Sequence, residues 1–374
     1  MLIIDGAYGE GGGQVLRTAL TLAAILNQPI RLENIRAGRK NPGLAAQHLT
    51  AVRAAATICD ADLDGDELGS TQLTFVPQSP PIPGIYEFDV AEAREGGSAG
   101  AATLVSQTIL LPLASAQGPS EVTIKGGTHV PWSPPFHYIR DVYLPTVACL
   151  GIQASTTLSA WGWYPAGNGE IKIEIPGQPE GRIDLVDNSP NRAEMGHKRR
   201  QTLFMPEPTL SPDGMWTKRG SLKQIKGVAV ASSLPAHIAQ RMRDRAVNLL
   251  RQEDFPAAIE PQRVRSVSPG AGIFLVAEYE NSQAGFGALG RKGKPAERVA
   301  EEAIDDFLAF HQSGAVLDEH LTDQLILPMA LSGWSGAVLI ERLSKHTLTN
   351  IWVVDQFLGL ITKVEQNSNL IWFV

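Results

Sequence analysis

Three groups of residues in this 374-residue chain have types and spacings suited to handling a phosphorylated ligand. The first is the run DGAYGEGGGQVLR, Asp5 to Arg17. Consecutive glycines let backbone N–H groups approach an anion closely, and a helix starting directly after them adds partial positive charge. Glu10 has the chemistry to hold a divalent metal, and Arg17 the forked donors that pair with phosphate. A tight strand-to-helix turn with an exposed acid would use the same residues, so the run alone leaves both readings open. The second group is RAGRKNPGLAAQHL, in which Arg36 and Arg39 flank a glycine in a loop, while Gln47 and His48 sit one turn into the next helix. Paired loop arginines suit forked phosphate recognition, and solvated ones would look the same. The third is histidine, which acts as base, ligand or nucleophile near neutral pH. Of the eight, His48, His129, His137, His197, His237, His311, His320 and His346, the last lies in LSKHTLTN and is a candidate by its position in a repeated pattern.

Other nucleotide signatures fail. A G-x-G-x-x-G fingerprint starting at Gly9 would need glycine where Gln14 stands, and the Gly293-Lys294 pair is followed by Pro295 instead of Ser or Thr. Kinase and zinc-protease motifs are missing too. Cys59 and Cys149 are the only cysteines, which leaves neither a disulfide framework nor a structural zinc site.

The elements that must position these groups follow one grammar three times: turn, apolar helix, strand, polar loop, second helix. In the first stretch VLRTALTLAAIL leads to IRLENI, the loop Arg36 to Pro42 and a helix through HLTAVRAAATI. In the second, TLVSQTILLPLASA leads to SEVTIKGG, the loop Thr128 to Pro135 and FHYIRDVYLPTVACL. In the third, LDEHLTDQLILPMAL leads to GAVLIERL, a loop over Ser344 to Asn350 and IWVVDQFLGL. Three equivalent loops at one edge of a repeated scaffold are where a composite site would form, and His346 falls in the third. Helix starts near 12, 100 and 318 are 88 and 218 residues apart, so the second interval is longer by 130. That excess predicts an insertion: a polar, locally basic loop over about 187–220, then a small β-α-β-β-α unit. The expected organisation is α/β, with a large unit of three repeated α/β segments over 1–185 and 315–374 and a smaller inserted α/β domain over 186–314.

Composition sets the outer limits. Apolar content of 43% and charged content of 19% describe a folded, water-soluble chain, with 36 Gly and 25 Pro pointing to many tight turns. The net charge of -7 gives no overall signature of a nucleic-acid binder. Charge is local instead: residues 31–53 carry five basic side chains against Glu33, whereas 299–340 carry seven acids and no Lys or Arg. No apolar run approaches a membrane span and the N-terminus lacks signal-peptide features, so a cytoplasmic location is expected.

The strings DGAYGEGGGQVLR, RAGRKNPGLAAQHLTAV, GSAGAATLVSQTILLPL, KGGTHVPWSPP, WYPAGNGE, EHLTDQLILPMAL and KHTLTN closely resemble the RNA 3'-terminal phosphate cyclase family, in family order from residue 5 to 350. The resemblance is weakest between Val186 and Gly220. It implies ATP-dependent conversion of an RNA 3'-phosphate to a 2',3'-cyclic phosphodiester through a covalent histidyl-AMP and an RNA-adenylate. The family's nucleophile carries over onto His346 in its His-x-x-Thr-Asn string. Glu10 and Asp323 match its Mg or Mn ligands. Arg17, Arg36, Arg39, Gln47, His48 and Gln107 match its phosphate-binding positions, and Pro134 and His320 its grip on adenine, with Gln324 nearby. The family pattern has tyrosine where His320 stands, which weakens the stacking expected there. A relative that keeps the fold and binds ribosomal RNA or partners without catalysis is the alternative, and the joint presence of His346, Glu10 and Asp323 disfavours it. A small-molecule transferase on a related scaffold would explain the glycine loop but not the RNA-end motifs.

Overall fold

In the computed structural model, which describes residues 1–93, 98–178 and 215–374, apolar alternation and helix periodicity resolve into mixed α/β structure with four sheets of four strands. The first sheet contains β1 (Leu2–Asp5), β2 (Ile30–Glu33), β3 (Asp62–Asp64) and β4 (Leu73–Val76), with α1 (Gly13–Ile25) and α2 (Ala46–Thr57) between its strands. Its order is β1-β2-β4-β3, parallel at the first pair and antiparallel thereafter. The second sheet repeats that arrangement as β5-β6-β8-β7, from β5 (Ile85–Asp89), β6 (Ser120–Gly126), β7 (Ser155–Ala160) and β8 (Gly169–Ile175). Its helices are α3 (Ala102–Ser115), then α4 (Phe136–Tyr138) and α5 (Leu144–Ala148), joined through a π-helical turn over Ile139–Tyr143.

A third sheet opens with β9 (Met215–Trp216) but finds its other strands only after a fourth sheet has intervened. That fourth sheet holds β10 (Leu222–Ser232), β11 (Ala257–Val264), β12 (Gly270–Tyr279) and β13 (Gln283–Leu289), with α6 (His237–Gln252) and α7 (Ala296–Ser313) packed together beside it. The chain then supplies α8 (Glu319–Ser332), β14 (Gly336–Leu339), α9 (Lys345–Leu358), β15 (Thr362–Glu365) and β16 (Leu370–Phe373). The third sheet runs β9-β14-β16-β15, again one parallel pair followed by antiparallel ones. Met215 and Trp216 lie within the stretch read from sequence as a loop, yet they pair with Ala337 and Val338. A two-residue strand is too short to leave a period-2 pattern. The rest of that stretch up to 214, including Lys198-Arg199-Arg200 and His197, lies outside the described residues. The fourth sheet also has one strand more than the expected β-α-β-β-α run.

Helix burial explains the packing. In α1 the buried residues run almost unbroken from Val15 to Ile25, because α2, α3 and α9 pack around it. In α6, Ala239, Met242, Ala246 and Leu250 form a single buried stripe at three- and four-residue spacing, as a helix with one wet face requires. Two separate apolar cores result, one shared by the first three sheets and one between the fourth sheet and α6 and α7. A small cluster of Trp163, Val230 and Phe274 bridges the second and fourth sheets. Pro112 within α3 cannot donate a backbone hydrogen bond to Thr108, and the freed carbonyl accepts one from the Thr21 hydroxyl of α1 at 2.8 Å. This proline is therefore a joint between helices. Among the described residues no helix is long and apolar enough to cross a membrane.

Candidate active site

The glycine run folds as the strand-to-helix turn between β1 and α1. Gly9 and Gly11 take φ of +65° and +58°, and Gly12 is the N-cap of α1. Space also dictates glycine here. A Cβ on Gly9 would lie 2.3 Å from Thr349 Oγ1, and one on Gly12 only 1.9 Å from Glu10 Oε1. A Cβ on Gly13 would lie 2.3 Å from His48 Nε2. Four elements thus converge on this turn: α1, the Arg36–Pro42 loop, α2 and α9. The first turn of α1 carries no acid, which leaves its partial positive charge uncancelled.

Glu10 is the hub. Its Oε2 pairs with Arg39 Nη2, its Oε1 is 3.5 Å from His346 Nδ1, and its backbone N–H donates to Thr349 Oγ1 at 3.3 Å. The carboxylate is largely covered, while the His346 ring is half exposed. His346 was expected in a loop. It lies instead in the first turn of α9, because Ser344 caps that helix by accepting the Thr347 N–H at 2.9 Å. The ring's Nδ1 side faces Glu10 and its Nε2 is the nitrogen turned away from that contact.

Around this pair the basic side chains are held individually. Arg17 donates to Gln14 Oε1 at 2.6 Å, and burial pulls its guanidinium down to about 10 despite the opposing charge of Glu10. It remains a cation at neutral pH. Arg36 donates to the Gly43 carbonyl at 2.6 Å, and its pKa is lowered by burial and by neighbouring Arg39. His48 is buried, and its Nδ1 accepts the Ala45 N–H at 3.2 Å, which assigns the ring proton to Nε2, directed toward Gly13. Burial, with Arg17 and Arg36 close by, pushes its pKa down to about 3. His48 is thus a neutral N–H donor at the start of α1. Gln47, beside it, accepts the Ala101 N–H at 2.9 Å and so ties α2 to the N-terminus of α3.

Asp323 is committed differently. Its Oδ1 accepts the hydroxyls of Ser344 and Thr347, both at 2.5 Å, and so braces the start of α9 from α8. Burial raises its pKa against those two bonds. Among the described residues no group of three or more His, Cys, Asp or Glu side chains gathers to hold a metal ion. Asn350 links the same helices, donating to the Asp323 carbonyl at 2.7 Å and accepting from Thr18 of α1 at 2.8 Å. Gln107 of α3 donates to Gln324 of α8, whose own amide reaches the His320 carbonyl at 2.9 Å. Arg17, Gln107, Asp323, Gln324 and Asn350 line a shallow cleft between α1, α3, α8 and α9. Pro134 precedes α4, and His320 meets Tyr138 of α4 edge-on at 6.5 Å between ring centroids. The Tyr138 hydroxyl donates to Asp318, the buried N-cap of α8, at 2.7 Å.

Sequence reasoning missed Thr349, Asn350 and the Tyr138–Asp318 pair. The first two were within its reach: positions 346, 349 and 350 fall on one face of a helix, once Ser344 is recognised as its cap.

A family model described as RNA 3'-terminal phosphate cyclase matches residues 8–364. An RNA 3'-terminal phosphate cyclase of Gloeothece citriformis is 50% identical over 96% of this chain and 93% of its own. One of Nostoc punctiforme is 51% identical over 96% and 94%. One of Methanosarcina barkeri is 39% identical over 99% and 98%. Among solved structures, the enolpyruvyl transferase NikO of Streptomyces tendae matches 44% of this chain and 30% of its own at 17% identity and a TM-score of 0.25, a likeness too slight to characterise the fold.

Proposed function

Since the chain belongs to the RNA 3'-terminal phosphate cyclase family, we propose that it converts RNA 3'-phosphate ends to 2',3'-cyclic phosphodiesters at the expense of ATP. The observation that carries this reading is His346 Nδ1 placed 3.5 Å from the Glu10 carboxylate beside the glycine turn, with Arg17, Arg36, Arg39 and His48 around the same turn.

The chemistry runs in three exchanges. His346 Nε2 attacks the α-phosphorus of ATP, a P–N bond forms, the bond to the β-phosphate oxygen breaks, and pyrophosphate leaves. Glu10, 3.5 Å from Nδ1, stabilises the positive charge that develops on the ring. An oxygen of the RNA 3'-phosphate next displaces His346 from the adenylate. The neighbouring 2'-hydroxyl oxygen then attacks the RNA phosphorus, gives up its proton and expels AMP. Proximity supplies much of that last step, because nucleophile and phosphorus share one ribose. Dependence on the 2'-hydroxyl restricts cyclisation to RNA ends.

Arginines and the amides at the start of α1 bind the phosphates, and His48 adds a neutral donor that needs no counter-charge. Gln47 and Gln107 complete the phosphate side of the site, and Pro134, His320 and Gln324 the adenine side. Mg or Mn fits a site with one carboxylate and several phosphate oxygens; Glu10, whose oxygens face Arg39 and His346, would be its main protein ligand. Such an ion would neutralise charge on the departing pyrophosphate. Asp323 would serve as second ligand only by exchanging its bonds to Ser344 and Thr347. The shared strand order of three sheets supports the division into three α/β repeats with the fourth sheet, α6 and α7 as an inserted domain. The proposed limits move to residues 217–314, because Met215 and Trp216 pair with the third sheet.

The test is α-labelled ATP with Mg or Mn, followed by denaturing analysis. Acid-labile label on the wild type that vanishes in His346→Ala is expected; undiminished label on the variant rejects the nucleophile. RNA ending in 3'-phosphate should gain cyclic ends and RNA ending in 3'-hydroxyl should not. Failure of the first substrate with an ATP-competent protein would favour the non-catalytic alternative.

A further inference from the structure

The loop that carries Pro134 also carries Trp132, whose side chain is 98% exposed and whose backbone sits at φ +60°. A bulky residue in that conformation persists only where surrounding structure enforces it. Here hydrogen bonds fasten the loop at its start and across its middle. The backbone N–H groups of Thr128 and His129 both donate to the Gly162 carbonyl, at 2.9 and 3.0 Å, and Ser133 Oγ donates to the Val130 carbonyl at 3.0 Å. Gly162 opens a second loop, which exposes Tyr164 by 69%. That loop is fastened to a third, between β11 and β12, by the Ala166 N–H donating to Ser268 Oγ at 3.1 Å. The third loop exposes Val267 and Arg265. The same loops share an aromatic cluster. The His129 and His137 rings bond at 3.0 Å and pack among Trp161, Trp163 and Phe274.

Two exposed rings on rigid, mutually bonded loops are unusual, because an indole or phenol normally gains by burial. The charge around them narrows the occupant. Residues 128–135, 161–168 and 263–270 carry Arg263 and Arg265 and no carboxylate, in a chain with a net charge of -7. Arg263 is tied to the Leu234 carbonyl, whereas Arg265 is exposed. Exposed π faces and an exposed guanidinium on loops bonded to one another suit single-stranded nucleic acid, whose bases stack and whose phosphates pair. We infer that Trp132 and Tyr164 form a stacking surface for nucleobases upstream of the RNA 3' end, with Arg265 as a phosphate contact at its edge. This rests on the RNA-end reading above and extends it to substrate grip: the enzyme would hold RNA beyond the terminal ribose and favour unpaired ends.

The experiment uses the full chain and a short single-stranded RNA bearing a 3'-phosphate and a 5'-fluorescein, followed by anisotropy without ATP. Trp132→Ala and Tyr164→Ala should each weaken binding by about 5- to 150-fold, the range for losing one stacked base, and Trp132→Phe should restore most of it. Arg265→Gln should reduce the steepness of log affinity against log salt by about 0.7. Melting temperature of each variant reports folding. Unchanged RNA affinity in both alanine variants, with a wild type that still cyclises RNA, overturns the stacking surface alone and assigns these rings to a protein partner or a second copy. A wild type that neither binds nor cyclises the RNA overturns both the surface and the reading on which it rests.

Discussion

Gly12→Ala separates the position of Glu10 from its chemistry. A Cβ on Gly12 would lie 1.9 Å from Glu10 Oε1, whereas ordinary contact begins near 3.4 Å, so the carboxylate must move by about 1.5 Å. The backbone can accept the change, since Gly12 has φ of -105°. What it meets is the end of a flexible side chain, which moves cheaply. Alanine is also a poorer N-cap than glycine, a cost of roughly 0.5–1 kcal/mol, so melting should fall by no more than a few degrees. A displacement of 1 Å or more at a catalytic group costs on the order of 10²-fold in rate. The assay is formation of acid-labile protein–AMP from α-labelled ATP, read as an initial rate beside the melting curve. Glu10→Ala provides the cross-check: if alanine at 12 acts through Glu10, the double variant should be no slower than Glu10→Ala alone. A Gly12→Ala protein with near-normal melting and a rate within threefold of wild type would refute the claim that Glu10 must be held against His346.

Further outcomes follow from the same geometry. His48 takes a proton near 6.5 when unfolded but only at about 3 in the fold, so its stabilising contribution is complete above pH 6.5 and is lost as pH falls toward 3. His48→Gln should therefore flatten the fall in urea midpoint between pH 6.5 and 4, and an unchanged slope would contradict the buried neutral imidazole. Asp323→Ala should destabilise by about 1.5–3 kcal/mol, through loss of the two hydroxyl bonds to a charged acceptor, whereas Asp323→Asn should melt within a few degrees of wild type. Equal melting of the two variants would remove its bracing role. His320→Tyr should keep or improve ATP affinity if the ring at this position stacks on adenine; a large loss measured by calorimetry would assign His320 another task.

Much of this arrangement was readable from residues. The apolar helix after each turn, the strand after it and the second helix appear where the periodicity put them, as in α1, β2 and α2. The glycine run and its acid were recognisable because their conformations and close approaches permit little else. Less visible was anything set by tertiary contact. The place of His346 after the third repeat's strand predicts a loop, yet Thr347, Thr349 and Asn350 are buried through hydrogen bonds to α8 and the glycine turn. Polar side chains buried by pairing do not announce themselves in a hydropathy pattern. Trp132 is the opposite case: hydropathy alone would bury an indole, yet this one stands in water.

The third sheet imposes an order on synthesis. Trp216 pairs with Val338, 122 positions further along the chain, and the interval includes the whole fourth sheet with its own core. A ribosome adding about 5–20 residues per second leaves β9 without its partner for roughly 6–24 seconds. During that wait the fourth sheet can close on itself, while the half-made third sheet presents an unpaired strand and an uncovered indole. His346, on a helix made after β14, is therefore among the last parts of the site to arrive. The proposed nucleophile is made only after all four strands of the fourth sheet.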